Sequence, residues 1–227
     1  MMDNENRRDI VYDAQCAVIN KVCLNDKFDI YEMTEFDKIK LQLALYQSNV
    51  AKNDVTFTCE ECGTENTYKM DFGKTISKLD DFDLKEKVFK FSDRLADYEF
   101  KIEYPSVRRV SVFYKSAMRK HGKGKIDNST ATQINMDYIN LFISGIKFTM
   151  KENKEVTDIN LKIMDPAVIS EIIEEFPQDV IYSDNGVLAY ISEHMIASIN
   201  NAFEEHKCLQ CGHVQKNANV SDVQTFL

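Results

Sequence analysis

Residues 54–72, DVTFTCEECGTENTYKMDF, carry the decisive pattern of the chain. On either side of a CxxCG turn (Cys59, Cys62, Gly63), over 54–58 and 66–72, polar and apolar residues alternate. That alternation predicts a β-hairpin whose turn is a metal knuckle. A CxxC turn brings two thiolates to one side of a loop, and the following glycine supplies the positive φ that lets backbone N–H groups point at the sulfurs. A second copy of the element, Cys208-Leu209-Gln210-Cys211-Gly212, lies near the far end of the sequence. Two such turns complete a four-cysteine shell, so Cys59, Cys62, Cys208 and Cys211 are the expected ligands of one Zn2+. Four sulfurs leave no open position for water or substrate, and the metal is therefore expected to be structural. His206 and His213 flank the second knuckle and could replace a ligand, but the four cysteines already fill the shell.

Outward from the first knuckle, the apolar period sets the remaining elements. Residues 9–24 place Ile10, Ala14, Ala17, Val18 and Val22 at helical spacing, with Cys16 and Cys23 read as small buried apolar residues rather than ligands. Over 35–48, Phe36, Ile39, Leu43 and Tyr46 form one stripe of a second helix. Segments 87–91 and 98–104 alternate as strands, the second ended by Pro105. Helices are expected over 106–119 and over 129–147, the latter carrying Ile134, Tyr138, Leu141, Phe142 and Ile146. Residues 148–157 read as a hairpin or surface turn. Asp165-Pro166 is a helix start, with Asp as cap and Pro at the first helical position, and that helix runs to Phe176. A last long helix is expected over about 186–205, with Leu188, Ile191, Met195, Ile199 and Phe203 on a common face.

The expected architecture is α+β: a small β-rich, four-cysteine zinc-ribbon lobe formed by both chain ends, packed with a mainly helical central lobe. Its segments are N-terminal helices at 1–50, the zinc-ribbon/β lobe at 51–105 and 206–227, and the helical lobe at 106–205, together one compact unit.

Composition narrows the function. The 227 residues are 44% hydrophobic, with 14 Phe and 10 Tyr to fill a core. The net charge of −9 opposes general affinity for nucleic acid, which needs clustered Lys and Arg. Lys115 to Lys125, with Arg119, Lys120 and Lys123, is a local basic exception and reads as a solvated loop. The N-terminal MMDNENRRDIVYDAQ lacks the apolar segment of a signal peptide, and no stretch approaches the roughly 20 apolar residues of a membrane span. A reducing, cytosol-type compartment follows, in which the six cysteines are thiols or metal ligands.

The sequence holds no GxSxG, Walker, GxGxxG or HExxH motif, and its four histidines have no local partner pattern of a general base. No catalytic or organic-cofactor residues are expected, and the chain is not read as an enzyme.

The order of these elements resembles the baseplate hub subunit family of T-even-type contractile-tail bacteriophages. The matching stretches are MTEFDKIKLQLALYQSNV leading to DVTFTCEECGTENTYKMDF, then FKIEYPSV, and finally HKCLQCGHVQKNANV with the tail VQTFL, over roughly 30–227. The resemblance implies a non-enzymatic structural component or assembly chaperone of the baseplate hub. Its partners would be other baseplate proteins. From their own chemistry, the apolar tail residues Val223, Phe226 and Leu227 or the basic Lys115–Lys125 segment could meet them, while the tail is equally expected to fold back on the core. Its location would be the host cytoplasm during assembly, or the virion tail baseplate. Only Cys59, Cys62, Cys208 and Cys211 carry over as functional residues. The competing expectation is a zinc-ribbon nucleic-acid-associated factor such as a transcription accessory protein, for which Arg108, Arg109 and the basic loop would approach phosphate. An enzyme whose site is assembled from distant residues is the third.

Overall fold

A computed structural model describes residues 8–23, 27–49, 54–82, 86–120, 127–202 and 205–215. In chain order, helix α1 (Arg8–Val22) is followed by a 3-10 turn (Ile30–Glu32), α2 (Glu35–Asn49), the strands β1 (Asp54–Thr58) and β2 (Glu65–Lys69), and α3 (Phe72–Asp80). Strands β3 (Lys87–Ser92) and β4 (Ala96–Ile102) precede α4 (Val107–Lys120) and α5 (Asn128–Asn140). Then come β5 (Ile143–Met150), β6 (Val156–Asn160), α6 (Pro166–Glu174), α7 (Gln178–Tyr182) and α8 (Val187–Ile191). A π-helical turn (Ser192–Ile196) joins α8 to α9 (Ala197–Ala202), and β7 (His206–Lys207) and β8 (Val214–Gln215) frame the second knuckle. The fold is α+β, and the chain divides into two units: 1–35 with 84–193, and 36–83 with 194–227.

The first unit is built on an antiparallel sheet of order β3-β4-β5-β6. Register places Phe89, Phe100, Ile146 and Ile159 in one row and Phe91, Tyr98, Phe148 and Thr157 in the next, all on one face because side chains alternate along a strand. Phe176, just past α6, lays its ring edge-on against Phe100 and Phe148, both at 5.9 Å between centroids. The opposite face carries the row Lys90, Glu99, Lys147, Asp158, in which charge alternates in sign from strand to strand. Lys90 and Glu99 pair at 3.0 Å. Such a face is solvated, and opposite charges on neighbouring strands keep the register without a second layer.

Helix α4 buries Val107, Val110, Phe113 and Ala117 and packs on α1 and α6. Asp165 caps α6 by accepting from the Ala167 N–H at 2.9 Å, with Pro166 opening the helix. Helix α1 is apolar on two sides. Tyr12, Cys16 and Ile19 face the core, whereas Ile10, Val11, Val18 and Val22 are 43–52% exposed on the outside.

In the second unit, α2 buries Phe36, Ile39 and Leu43, and Tyr46 meets Phe72 of α3 edge-on at 4.8 Å. Asp71 caps α3 at the Lys74 N–H, and Lys40 and Asp80 form an ion pair. Helix α3 packs on α9, whose Ile199 and Ala202 are buried.

Several expectations are corrected. The helix expected over 129–147 ends at Asn140, and Ile143–Met150 is a strand, so Phe142 precedes a strand and Ile146 lies on it. Its apolar residues fit a helical period equally well because the first half of β5 is buried throughout, which removes the alternation. The central region is mainly helical, as expected, but it is not helical throughout. It holds β5 and β6, and the sheet they form recruits β3 and β4 away from the knuckle lobe. The segment boundaries at 50, 105 and 205 accordingly give way to the two interleaved units. The strand expected over 66–72 yields at Asp71 to α3, and the last helix is broken by the π turn. On α1, Ile10, Val18 and Val22 lie outside, and Cys16 is buried as expected while Cys23 is half-buried. Of the basic segment, Lys115, Arg119 and Lys120 end α4; 121–126, Phe203 and the tail beyond 215 lie outside the described residues.

Candidate metal centre

Each knuckle is a tight turn with the same backbone bonds. Cys59 N–H donates to Thr64 O at 2.9 Å and Gly63 N–H to Cys59 O at 2.8 Å; Cys208 N–H donates to His213 O at 2.8 Å and Gly212 N–H to Cys208 O at 3.0 Å. Gly63 and Gly212 have φ of 70° and 75°, the left-handed conformation anticipated from their place after each CxxC. The second knuckle repeats the first, bond for bond.

The four sulfurs converge. All lie within 4.8 Å of one another, and the pairs Cys59–Cys211 and Cys62–Cys208 are each separated by 3.6 Å. A tetrahedral four-thiolate shell with metal–sulfur bonds of about 2.3 Å has sulfur–sulfur edges of about 3.8 Å. The spacing therefore fits a tetrahedral metal, and among the described residues this is the one such cluster. Cys59 and Cys208 are 1% exposed, and Cys62 and Cys211 line the solvent side.

The electrostatics also fit a cation. The backbone N–H groups of Cys211 and Gln210, with the Asn66 amide, lower Cys208 to about 6. The Thr64 hydroxyl and backbone lower Cys62. Cys211 is pushed up to about 12: the His213 N–H favours its thiolate, but desolvation and the other three sulfurs outweigh that bond. Donors thus favour the thiolate at Cys208 and Cys62, while desolvation and hydrogen bonds to the neighbouring sulfurs hold the proton on Cys211. A bound cation would replace that proton and let all four sulfurs coordinate.

The two knuckles are tied by side chains as well. Asn66 on β2, 4% exposed, accepts from the Leu209 N–H at 2.9 Å, and its amide nitrogen lies 2.8 Å from Thr64 O and 3.5 Å from Cys208 Sγ. Gln215 on β8 accepts from the Glu60 N–H at 3.3 Å and donates to Thr58 O at 3.4 Å. The Thr64 hydroxyl donates to Gln210 Oε1 at 2.8 Å. None of these three residues was singled out from sequence. The available signal was that Asn66 and Gln215 are carboxamides at the same offset, four residues after Cys62 and Cys211.

His206 is not a fifth donor. Its ring hydrogen-bonds Tyr68 and lies against Phe57 at 5.3 Å, and burial holds its pKa below the usual histidine value. Exposed Glu60 and Glu61 make the first knuckle acidic. Among the described residues, no helix is long and apolar enough to cross a membrane. Comparison of the chain with protein-family models, with curated proteins and with solved structures finds no match.

Proposed function

We propose that the four-cysteine cluster holds one structural Zn2+ and that the chain is a non-enzymatic subunit or assembly factor of a contractile-tail phage baseplate hub, acting by binding other hub proteins. The observation that carries the metal reading is the convergence of sulfurs 146–152 residues apart in sequence at tetrahedral spacing. Zinc suits an all-thiolate tetrahedron because it is indifferent to d-electron geometry and does not cycle between oxidation states. All four positions would be taken by protein, so the ion would serve as a fastener.

The hub reading rests on the order of elements around the two knuckles. It is supported by the outer strip of α1, where Ile10, Val11, Val18 and Val22 form an exposed apolar surface of the kind that partner proteins cover. A nucleic-acid role is less well supported, because Glu60 and Glu61 set negative charge on the knuckle that would have to meet phosphate.

Native mass spectrometry of the purified chain tests the metal: one zinc per chain is expected, lost in Cys59→Ser and in Cys208→Ser. Zinc retained by either variant would refute the shared site. Co-expression with individual phage hub subunits, followed by size-exclusion chromatography, tests the second part. A stoichiometric complex with a hub subunit supports it, and elution apart from every subunit would remove it.

A further inference from the structure

The bonds between the knuckles obey an approximate two-fold relation. The residue after Cys208, Leu209, gives its N–H to the carboxamide four residues after Cys62, which is Asn66. The residue after Cys59, Glu60, gives its N–H to the carboxamide four residues after Cys211, which is Gln215. Each carboxamide also donates to a carbonyl in the first knuckle's arm, Asn66 to Thr64 O and Gln215 to Thr58 O. All of these bonds except Asn66 to Thr64 O join segments 143–157 residues apart, using only protein groups. The relation breaks at the carboxamide nitrogens. Asn66 donates to Thr64 O in its own arm and also reaches Cys208 Sγ at 3.5 Å, whereas Gln215 donates across to Thr58 O and touches no sulfur.

We propose that Asn66 and Gln215 are reciprocal positioning residues of the metal centre: each carboxamide locks the backbone of the opposite knuckle, so the sulfurs stand at coordination distance before a metal arrives, and Asn66 additionally withdraws electron density from Cys208. The proposal takes the four-cysteine cluster to be a metal site. Outer-sphere partners of this kind orient ligands and tune the metal they hold. An amide N–H on a thiolate lowers the energy of the sulfur lone pair, and that lowers its donation to the metal.

The two roles separate by experiment on the full-length chain. With metal stripped by chelator, amide hydrogen exchange followed residue by residue is expected to show protection at Leu209 and Glu60. Asn66→Leu should release Leu209 alone, and Gln215→Leu should release Glu60 alone. Chelator competition should show Zn2+ affinity reduced about 10- to 100-fold by Asn66→Leu and by Gln215→Leu, the range set by loss of outer-sphere partners.

In Co2+-loaded protein, Asn66→Leu should shift the sulfur-to-cobalt charge-transfer band to lower energy, and Gln215→Leu should leave it in place. Asn66→Asp keeps the acceptor for Leu209 while removing the N–H to sulfur, so it should shift the band with the Leu209 amide still protected. This variant keeps the test decisive if Asn66→Leu fails to fold. Unprotected amides in the metal-free parent would overturn pre-positioning. Equal band positions in the parent and both Asn66 variants would overturn the sulfur role. If the parent binds neither zinc nor cobalt, the metal reading falls, while the exchange pattern still decides whether the carboxamides hold the knuckles together.

Discussion

Tyr12 on α1 donates its phenolic hydrogen to the Glu35 carboxylate at the start of α2, and both side chains are 4% exposed. Burial first, and then the Glu35 charge, hold the phenol far above its usual pKa, so it remains a donor throughout the physiological range. Removing the hydroxyl leaves a buried acceptor short of one bond. Tyr12→Phe is expected to destabilise the first unit by about 1–3 kcal/mol, read as a lower urea midpoint with an unchanged slope.

A zinc fastener at the four cysteines, as proposed, predicts non-additivity. Chelation of the parent and the Cys59→Ser change should each lower the melting temperature, and chelation of Cys59→Ser should lower it no further, because both remove the same bond. Differential scanning calorimetry of the four samples checks this. A further fall in chelated Cys59→Ser would place a second metal elsewhere in the chain.

Two glycines should fail for different reasons. A Cβ at Gly63 meets nothing within 4 Å, so Gly63→Ala is opposed only by its φ of 70°, at about 1–2 kcal/mol. At Gly186 the φ is an ordinary −81°, but a Cβ would stand 2.7 Å from Ile181 O and 2.9 Å from Ile181 C. Those atoms are backbone at the end of α7 and cannot swing aside. Gly186→Ala should therefore cost more than Gly63→Ala, by denaturant titration of each.

Asp93 sets the turn between β3 and β4, accepting from the Leu95 N–H at 2.7 Å, the Ala96 N–H at 2.8 Å and the Tyr98 hydroxyl at 3.2 Å. Burial raises its pKa, but the Ala96 and Leu95 N–H groups, Tyr98 and Lys151 together hold it below the ordinary carboxylate value. A carboxyl depressed in the folded state contributes stability that is full above its unfolded pKa, about 3.9, and is lost as pH falls through the lower folded value. Asp93→Asn keeps an acceptor for the two amides without the charge. Its stability should sit below the parent at pH 7 and converge on it as pH drops below about 4, measured by urea melts across that range.

The outer face of α1 predicts a change in binding without a change in folding. Val18 is 43% exposed, so Val18→Lys should alter stability by no more than about 0.5 kcal/mol. The same change should abolish the proposed complex with a hub subunit, as read by co-elution. A complex that survives Val18→Lys would move the binding surface off α1.

What was legible in the sequence follows from how local each signal is. The knuckles, their glycines and the Asp165-Pro166 helix start are set by residues within five positions of one another, and all three were found where expected. Helix α5 and strand β5 were merged because Leu141, Phe142 and Ile146 satisfy a helical period, while the feature that separates them, pairing of β5 with both β4 and β6, is non-local. Helix α1 was placed correctly, but its apolar period does not say which side faces inward, because it is apolar on both sides. The choice between the two depends on α4, nearly a hundred residues away. Asn66 and Gln215 offered only their matched offset from Cys62 and Cys211, since a carboxamide near a turn reads as surface until its partner on the opposite knuckle is known.

The separation of 146 residues between Cys62 and Cys208 also sets a clock. A ribosome adding about 5–20 residues per second exposes the first pair of thiols roughly 7–30 s before the second pair is made. Throughout that interval the nascent chain carries half a coordination shell, while the β3–β6 sheet is completed from the residues between. With a metal bound as proposed, its capture would have to wait for the second pair, and free thiols in the nascent chain would report how far translation has run between the two.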